Sequence, residues 1–173
     1  MGEKILVAYA SRYGSTREVA EAAGATLREH GIEAEVKPAK DVDALGECDG
    51  VVIATPFYIG SMLKDTTQFL ERNRSELQER PVALLACGPV NADDDMGEAR
   101  KQIDQALEKV PWLQPVAAEM FVGKYDADHL RFADKLVAVL PASPLYRVPT
   151  HDDRDWDSIR EWTEALPGVM GLT

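Results

Sequence analysis

Short apolar runs of strand length alternate with segments of helical periodicity about five times along the sequence. Two of the runs, residues 50–54 and 81–86, are apolar at almost every position, which is typical of strands buried on both faces of a sheet. Parallel strands joined by crossover helices produce this alternation. The sequence therefore predicts an α/β fold in which a parallel sheet is wrapped by helices.

The bounds of the individual elements follow from the same periodicities. We expect strands at residues 4–10, 33–38, 50–54, 81–86 and 115–122. Helices are expected at residues 16–29, 63–73, 97–109, 128–140 and 155–166.

Residues 4–18 combine an apolar run of strand length, a turn that carries hydroxyls and a glycine, and the start of a helix. The first backbone N–H groups of a helix have no partners inside it, and the helix dipole adds partial positive charge there. Ser11, Ser15 and Thr16 add hydroxyl donors, and Gly14 permits a positive φ and a close backbone approach to a ligand. This stretch predicts a phosphate-binding site.

Two further loops with functional residue types follow the third and fourth strands. Residues 55–61 read Thr-Pro-Phe-Tyr-Ile-Gly-Ser, and residues 87–95 read Cys-Gly-Pro-Val-Asn-Ala-Asp-Asp-Asp. In parallel α/β sheets, ligands bind outside the carboxyl ends of the strands, near the point where the strand order reverses. Because all three loops belong to that edge, we expect them to form one site.

Several other kinds of phosphate site are excluded because their signatures are missing. The sequence has neither the GxxxxGK[ST] motif of P-loop NTPases nor a GxGxxG after the first strand, as in dinucleotide-binding sites. A phospho-acceptor receiver domain would need carboxylates where this chain has Ala10-Ser11 and Thr55-Pro56. The phosphate therefore belongs to another class of ligand.

Composition restricts the partners and the compartment. The net charge of −11 argues against nonspecific nucleic-acid binding and against an anchor on anionic lipid, and it is compatible with a basic protein partner. No apolar run reaches the roughly 18 residues of a membrane span, and the first residues lack a secretory apolar region. Cys48 and Cys87 lie far apart, which favours reduced thiols. We expect a cytoplasmic protein that binds no nucleic acid and has no integral membrane segment.

Two of the loops and the tail resemble a known family. Ser-Arg-Tyr-Gly-Ser-Thr at residues 11–16 is similar to the flavodoxin phosphate loop, and Thr-Pro-Phe-Tyr-Ile-Gly at residues 55–60 is similar to the loop that flanks the flavin ring. The tail, with Gly-Lys-Tyr-Asp at residues 123–126, Asp-Asp-Arg-Asp-Trp at residues 152–156 and Trp162, resembles the branch that includes the menaquinone-dependent protoporphyrinogen dehydrogenases.

The resemblance implies a single flavodoxin-like domain over residues 1–173, built as a three-layer sandwich. Its five parallel strands would lie in the order 2-1-3-4-5, with helices on both faces. An atypical segment would occupy about residues 123–150, before the last helix.

The same resemblance implies a noncovalently bound FMN, with its phosphate against the first loop and its ring between the other two. The implied cofactor-binding residues are Ser11, Arg12, Tyr13, Gly14, Ser15, Thr16, Thr55, Pro56, Phe57, Tyr58, Ile59, Gly60, Cys87, Gly88, Pro89, Val90 and Asn91. Flavodoxins often have Thr at the position of Tyr13, and their third loop commonly supplies a Tyr that stacks on the ring. In this chain Val90 or Asn91 would leave that face open, which suits exchange with a second planar molecule and equally suits weak flavin binding.

Three functions remain open. The first is an FMN-dependent electron carrier or oxidoreductase, whose partner is a redox protein, a quinone or a small planar substrate. The second is a protoporphyrinogen IX dehydrogenase with a quinone acceptor, although residues 126–149 are less basic here than in relatives that meet a membrane. The third is a flavin-free interaction scaffold, which would not need Ser11, Ser15 and Thr16 together. Residues 123–149 are a candidate surface for a dimer or for substrate.

Other notable residues have simpler interpretations. Asp93–Asp95 favour a solvated loop before a helix over a metal site, so no metal is expected. Cys87 is expected to be a core thiol rather than a redox group. Trp156 and Trp162 are expected to anchor the last helix. His129 and His151 are candidates for a substrate contact.

Overall fold

A computed structural model describes residues 2–58, 61–88, 96–125, 141–142 and 150–172, with no side-chain description for Tyr58, Met96 and Tyr125. In chain order its elements are β1 (Lys4–Tyr9), α1 (Ser15–Glu29), β2 (Glu33–Pro38), β3 (Gly50–Tyr58), β4 (Ser61–Met62), α2 (Lys64–Arg72), α3 (Arg74–Gln78), β5 (Val82–Cys87), α4 (Met96–Glu108), β6 (Ala117–Phe121), β7 (Lys124–Tyr125), β8 (His151–Asp152) and α5 (Trp156–Val169). A short 3-10 turn, Ala39–Asp41, follows β2.

The five long strands form one parallel sheet in the order β2-β1-β3-β5-β6. Counted among the parallel strands alone, this is the expected order 2-1-3-4-5. The sixth strand of this sheet, β4, is an unexpected antiparallel addition to the end of β3. The strand β1 is paired on both sides, with Val7 between Val36 of β2 and Val52 of β3. The parallel α/β architecture is confirmed.

The two faces of the sheet carry separate hydrophobic cores, because successive side chains of a strand point to opposite faces. One core packs α1 and α5 against the sheet, with Ile5, Val7, Val52, Leu85, Val19, Leu27, Ile159 and Leu166 among its members. The other packs α2, α3 and α4 against the opposite face, with Leu6, Ala8, Val51, Ile53, Leu84, Phe69, Leu70, Leu77 and Ile103. This burial on both sides explains the nearly continuous apolar runs, and it gives the expected three layers.

The third strand is longer than the sequence pattern predicts. We expected it to end at residue 54, but β3 continues through Thr55, Pro56 and Phe57 to Tyr58. Its last residues pair antiparallel with β4, Phe57 opposite Met62 and Tyr58 opposite Ser61. Part of the segment that we expected to be a loop is therefore strand.

The helix expected at residues 63–73 is confirmed as α2 to within one residue at each end, and a second, unexpected short helix, α3, follows Asn73. The Asn73 side chain is buried, and its amide donates to the carbonyl of Phe69 at 3.1 Å and to that of Val42 at 3.4 Å. A buried amide that bonds backbone carbonyls in this way fits the end of one helix and the start of the next.

The tail differs from expectation at both of its described ends. An antiparallel pair, β7 and β8, was not anticipated and joins Lys124 to Asp152 and Tyr125 to His151. The last helix begins where it was predicted, since the Asp155 carboxylate accepts from the Ser158 N–H at 3.0 Å. It runs three residues past the expected end at 166. The helix expected at residues 128–140 lies outside the described residues.

Within the described ranges, no helix combines the length and the apolar character that crossing a membrane requires.

Candidate functional site

The first turn of α1 carries backbone N–H groups that have no partner inside the helix. Gly14 precedes the helix with a φ of 89°, a left-handed conformation that favours glycine. The Gly14 N–H donates to the Ser11 hydroxyl at 2.8 Å, which closes the loop. The first intrahelical bond runs from the Glu18 N–H to the Gly14 carbonyl at 3.1 Å. The amides of Ser15, Thr16 and Arg17 therefore have no partner inside the helix and are suited to an anion.

The Thr16 hydroxyl points to the same kind of ligand. Thr16 is only 1% exposed, and among the described residues its Oγ1 has no nitrogen or oxygen partner, with the Cys87 thiol as a weak sulfur neighbour. A buried polar atom without a partner is costly, so native proteins rarely keep one that nothing satisfies. An acceptor such as a phosphate oxygen at the start of α1 would satisfy it. The buried hydroxyl and the unpaired amides thus fit one anionic group.

Cys87 lies directly beneath the first loop, at the end of β5. It pairs with Pro56 of β3 on one side and with Phe121 of β6 on the other. Burial raises the pKa of the Cys87 thiol to about 11, and the nearby Thr16 hydroxyl and the Arg154 charge only partly offset this effect. The thiol therefore stays protonated at neutral pH, in agreement with a core role.

Gly88 begins the third loop with a φ of 147°, and its N–H donates to the Phe121 carbonyl at 2.8 Å. This bond continues the contact with β6 one residue past Cys87. The remaining predicted residues of the loop, Pro89, Val90 and Asn91, lie outside the described residues, as does the Asp93–Asp95 cluster.

The second predicted loop contributes fewer free groups than its sequence suggests. The hydroxyls of Thr55 and Thr66 lie 2.8 Å apart and are fully buried, so Thr55 is occupied with α2. Pro56 is buried in β3, and the Phe57 side chain packs into the core under α2 and α4. Nothing is described for Ile59 and Gly60, nor for the side chain of Tyr58.

The described parts of the three loops meet at the carboxyl ends of the strands. The Ala10 N–H donates to the Ala54 carbonyl at 3.0 Å, which joins the first loop to β3. Pro56 lies beside Cys87, and Cys87 lies beside Thr16. The structure thus brings together the described start of each predicted loop.

A cleft of about 170 Å³ opens beside the first loop, between it and the start of α2. It is lined by Ser11, Arg12, Leu63, Lys64 and Asp65. Two of these residues are cationic, so the cleft carries positive charge next to the unpaired amides of α1.

Arg154 is the residue that sequence reasoning missed. Its side chain is only 5% exposed and lies against the first turn of α1. Nη1 donates to the Ser15 carbonyl at 3.3 Å and to the Glu18 carboxylate, while Nε and Nη2 hold Asp152 at 2.8 and 2.7 Å. These bonds raise the pKa of Arg154 and lower that of Asp152. In the sequence, Arg154 and Asp152 stand out only as part of the tail motif, and nothing there indicates that Arg154 contacts α1.

The aromatic residues of the tail have distinct roles. The Trp162 ring meets Phe121 edge to face, with centroids 5.8 Å apart, and so anchors α5 on the sheet. The Trp156 ring is 41% exposed and lies against the Arg154 guanidinium, 4.6 Å from its carbon. His151 is paired with Asp153 through Nδ1 at 2.9 Å. His129 lies outside the described residues.

Comparison with known proteins identifies related chains. A family model described as "Flavodoxin domain" matches residues 6–142. A flavodoxin of Streptococcus pneumoniae TIGR4 is 18% identical, with a TM-score of 0.58 over 95% of this chain and 98% of that one. Oxidised flavodoxin 1 of Bacillus cereus is 17% identical, with a TM-score of 0.58 over 93% of this chain and 95% of that one.

A larger protein contains the same fold as one part. Rubredoxin oxygen:oxidoreductase of Desulfovibrio gigas is 13% identical, with a TM-score of 0.54, and the match covers 96% of this chain and 35% of that one. No curated protein sequence is significantly similar to this chain.

Proposed function

Because this chain belongs to the flavodoxin domain family, whose members are FMN-binding flavoproteins, we propose that it holds FMN noncovalently at the three loops and transfers electrons through it. The observation that carries this proposal is the buried Thr16 hydroxyl, whose polar neighbour among the described residues is the weakly accepting Cys87 thiol, beside three amides that have no partner inside the helix. A phosphate monoester supplies the acceptor oxygens that these donors need.

The first loop would hold the phosphate. The amides of Ser15, Thr16 and Arg17 and the Thr16 hydroxyl donate to it, while Ser11 fixes the loop through the Gly14 N–H. Arg12 lines the adjoining cleft and adds positive charge. The binding relies on neutral donors and the helix dipole, with little direct charge.

The ring would lie between the second and third loops, against the residues that follow β3 and β5. Tyr58, Ile59, Gly60, Gly88, Pro89, Val90 and Asn91 are the proposed ring-side residues. Thr55, Pro56 and Phe57 would support this loop from below, since their side chains are buried in β3. Tyr13 is proposed to cover the phosphate loop.

Bound FMN supplies reversible one- and two-electron chemistry that no amino-acid side chain provides. The protein's task is to bind, orient and shield the cofactor. Cys87 takes no part in the redox chemistry, because its buried thiol has a pKa of about 11 and stays protonated. We propose that electrons pass to a redox partner protein, a quinone or a small planar substrate at an exposed ring edge.

The flavin-free scaffold is disfavoured by the same buried hydroxyl. A scaffold would gain nothing from leaving Thr16 Oγ1 unsatisfied, and replacing Thr16 with valine would remove the cost at nearly constant volume. The amides and the hydroxyl are best explained together by a bound anion.

A protoporphyrinogen IX dehydrogenase with a quinone acceptor is the second candidate. One observation favours it over a simple carrier: the tail motif that resembles that branch lies against the phosphate loop through Arg154. The tail would then belong to the site, with residues 123–150 as a candidate contact for substrate or a second copy. We propose a cytoplasmic protein in either case.

The test begins with purified protein and its flavin. We expect a yellow protein that releases FMN, and a Thr16→Val variant that folds but binds FMN about tenfold more weakly, because one charge-assisted hydrogen bond is lost. A Thr26→Val variant, which alters a buried hydroxyl further along α1, is the control and should bind normally. Apoprotein that cannot be reconstituted with FMN would contradict the proposal. Oxidation of protoporphyrinogen coupled to menaquinone then distinguishes the dehydrogenase from the carrier.

A further inference from the structure

Arg154 joins two parts of the chain that are far apart in sequence. It lies in the tail between β8 and α5, yet it contacts the first turn of α1, 139 residues from Ser15. The Ser15 carbonyl and the Glu18 carboxylate both accept from Nη1. The guanidinium is thus fixed against the turn that carries the unpaired amides.

The charged side chains of the Arg154 cluster at the first turn of α1 carry a net negative charge, which is unfavourable for an anion. The Glu18 and Asp152 carboxylates both lie against the single Arg154 cation, so the three groups together carry one negative charge. A phosphate that arrives at the start of α1 meets this cluster. Without the Arg154 cation, it would meet the Glu18 carboxylate and the Asp152 carboxylate, near which the Lys124 charge would remain.

We propose that Arg154 is a positioning residue that makes the first turn of α1 acceptable to the FMN phosphate, an inference that rests on the proposed function. It acts through two neighbours. It offsets one of the two negative charges of Glu18 and Asp152 beside the anion, and it holds the Ser15 carbonyl so that the adjoining amides keep their direction. The tail thereby contributes to selection of a phosphorylated flavin.

Burial strengthens this role. The Arg154 side chain is only 5% exposed, and the Trp156 ring covers it from one side. Charges that are shielded from water interact more strongly than exposed ones and are less sensitive to salt. Bidentate pairing with Asp152 also leaves the guanidinium little freedom to move.

Arg160 provides a matched comparison within the same helix–helix contact. It lies on α5 and donates from Nη2 to Glu29 at 2.8 Å, so it also joins the end of the chain to α1. Glu29, however, is the last residue of α1, at the end opposite to the unpaired amides. Because Arg160 is 53% exposed and Arg154 only 5%, R160Q reports the loss of a tie to α1, and the comparison of FMN with riboflavin separates an effect on the phosphate from an effect on stability.

The test compares FMN with riboflavin, which has the same ring and no phosphate. Apoprotein is titrated with each flavin by fluorescence quenching, for the wild type and for Arg154→Gln, Arg160→Gln, Glu18→Gln and Glu29→Gln. We expect R154Q to weaken FMN binding about tenfold, because a unit charge near a phosphate is worth roughly one factor of ten, and to change riboflavin binding less than about twofold. We expect R160Q and E29Q to change neither.

Glu18→Gln gives an independent test with the opposite sign. Its carboxylate faces the same turn and is 53% exposed, so its removal should tighten FMN binding about threefold and leave riboflavin binding unchanged. If circular dichroism shows that R154Q does not fold, the change of FMN affinity in E18Q tests the proposed role of Arg154 instead.

Two results would overturn the inference. One is an equal loss of FMN and riboflavin affinity in R154Q, which would make Arg154 a structural tie only. The other is an unchanged FMN affinity in E18Q. A wild-type apoprotein that binds neither flavin would instead overturn the proposed function, and the inference would fall with it.

Discussion

The hydroxyls of Thr55 and Thr66 lie 2.8 Å apart with no exposed surface, and they join the end of β3 to the first turn of α2. The pair places the second loop relative to the helix that follows it. It also removes Thr55 from the set of groups that a ligand could use.

This pair leads to a prediction about stability. Thr66→Val removes one partner and leaves the Thr55 hydroxyl buried with only a long contact of 3.3 Å to the Pro56 carbonyl. We expect a loss of about 1–2 kcal/mol in the free energy of unfolding, measured with urea. The double variant T55V/T66V should lose less than T66V alone, since no unsatisfied hydroxyl remains. Thr67→Val, which changes an exposed hydroxyl on the same helix, is the control. Equal losses in T66V and T67V would show that the pair contributes nothing.

Two glycines that flank α1 allow the cost of backbone strain to be measured separately from its effect on FMN binding. Gly14 and Gly31 have φ values of 89° and 82°, and a Cβ at either position would meet no atom within 4 Å. Alanine at each should therefore cost about 1–2 kcal/mol through conformation alone. Only Gly14→Ala should also weaken FMN binding, by about tenfold, because it moves the donors of the first loop. Thermal unfolding and flavin titration measure the two effects. A similar change of FMN affinity in G31A would show that binding follows stability rather than loop geometry.

The Arg154 pair predicts a pH dependence. The Arg154 side chain, which donates to the Asp152 carboxylate, lowers the pKa of that carboxyl in the folded state. The ion pair therefore stabilises the fold fully above the ordinary Asp pKa of about 4. This stabilisation is lost as the pH falls through the lower pKa that Asp152 has in the folded state. Asp152→Asn should cost about 0.5–1 kcal/mol near pH 6, because the Asp152 side chain is 42% exposed, and clearly less near pH 3, measured by urea unfolding.

An Asp43→Asn variant is the control for that experiment, because it removes one exposed surface carboxylate. The difference in the free energy of unfolding between D43N and the wild type should not become smaller between pH 6 and pH 3. If D152N and D43N behave alike at every pH, the ion pair does not stabilise the fold.

Cys87 should be unreactive in the folded protein. With a pKa of about 11, its thiolate fraction at pH 8 is about a hundredfold lower than that of an ordinary cysteine, and burial restricts access further. In a Cys48→Ala background, a disulfide reagent should modify Cys87 only after denaturation. Rapid labelling of Cys87 in the folded protein would contradict this prediction and would be consistent with a redox role for the thiol.

The sequence was sufficient for the architecture because burial on both faces leaves a strong signal. The apolar runs predicted all five parallel strands, and the Gly14 loop at the start of α1 was expected to bind an anion. Both features could be predicted because each depends on residues that are neighbours in the sequence.

The end of β3 was mispredicted because Pro56 usually ends a strand. Here the pairing of β3 with β1 stops at Tyr9 and Ala54, whereas pairing with β5 continues to Pro56 and Cys87. Beyond residue 54 the strand has one parallel neighbour, so the missing N–H of a proline is better tolerated. The antiparallel partner β4 then extends it further.

Arg154 could not be predicted for a different reason. Its partners Ser15 and Glu18 lie more than a hundred positions earlier, and no local spacing links them to the tail. Only the folded chain shows that β8 and the start of α5 lie against the phosphate loop.

The central claim is that the first turn of α1 binds the phosphate of FMN, and amide NMR tests it most directly. Labelled apoprotein is titrated with FMN and, separately, with riboflavin. We predict that the amide resonances of Ser15, Thr16 and Arg17 shift strongly with FMN and little with riboflavin, because only FMN places an anion beside those donors. Shifts of equal size with both flavins, or no shift with FMN, would contradict the account.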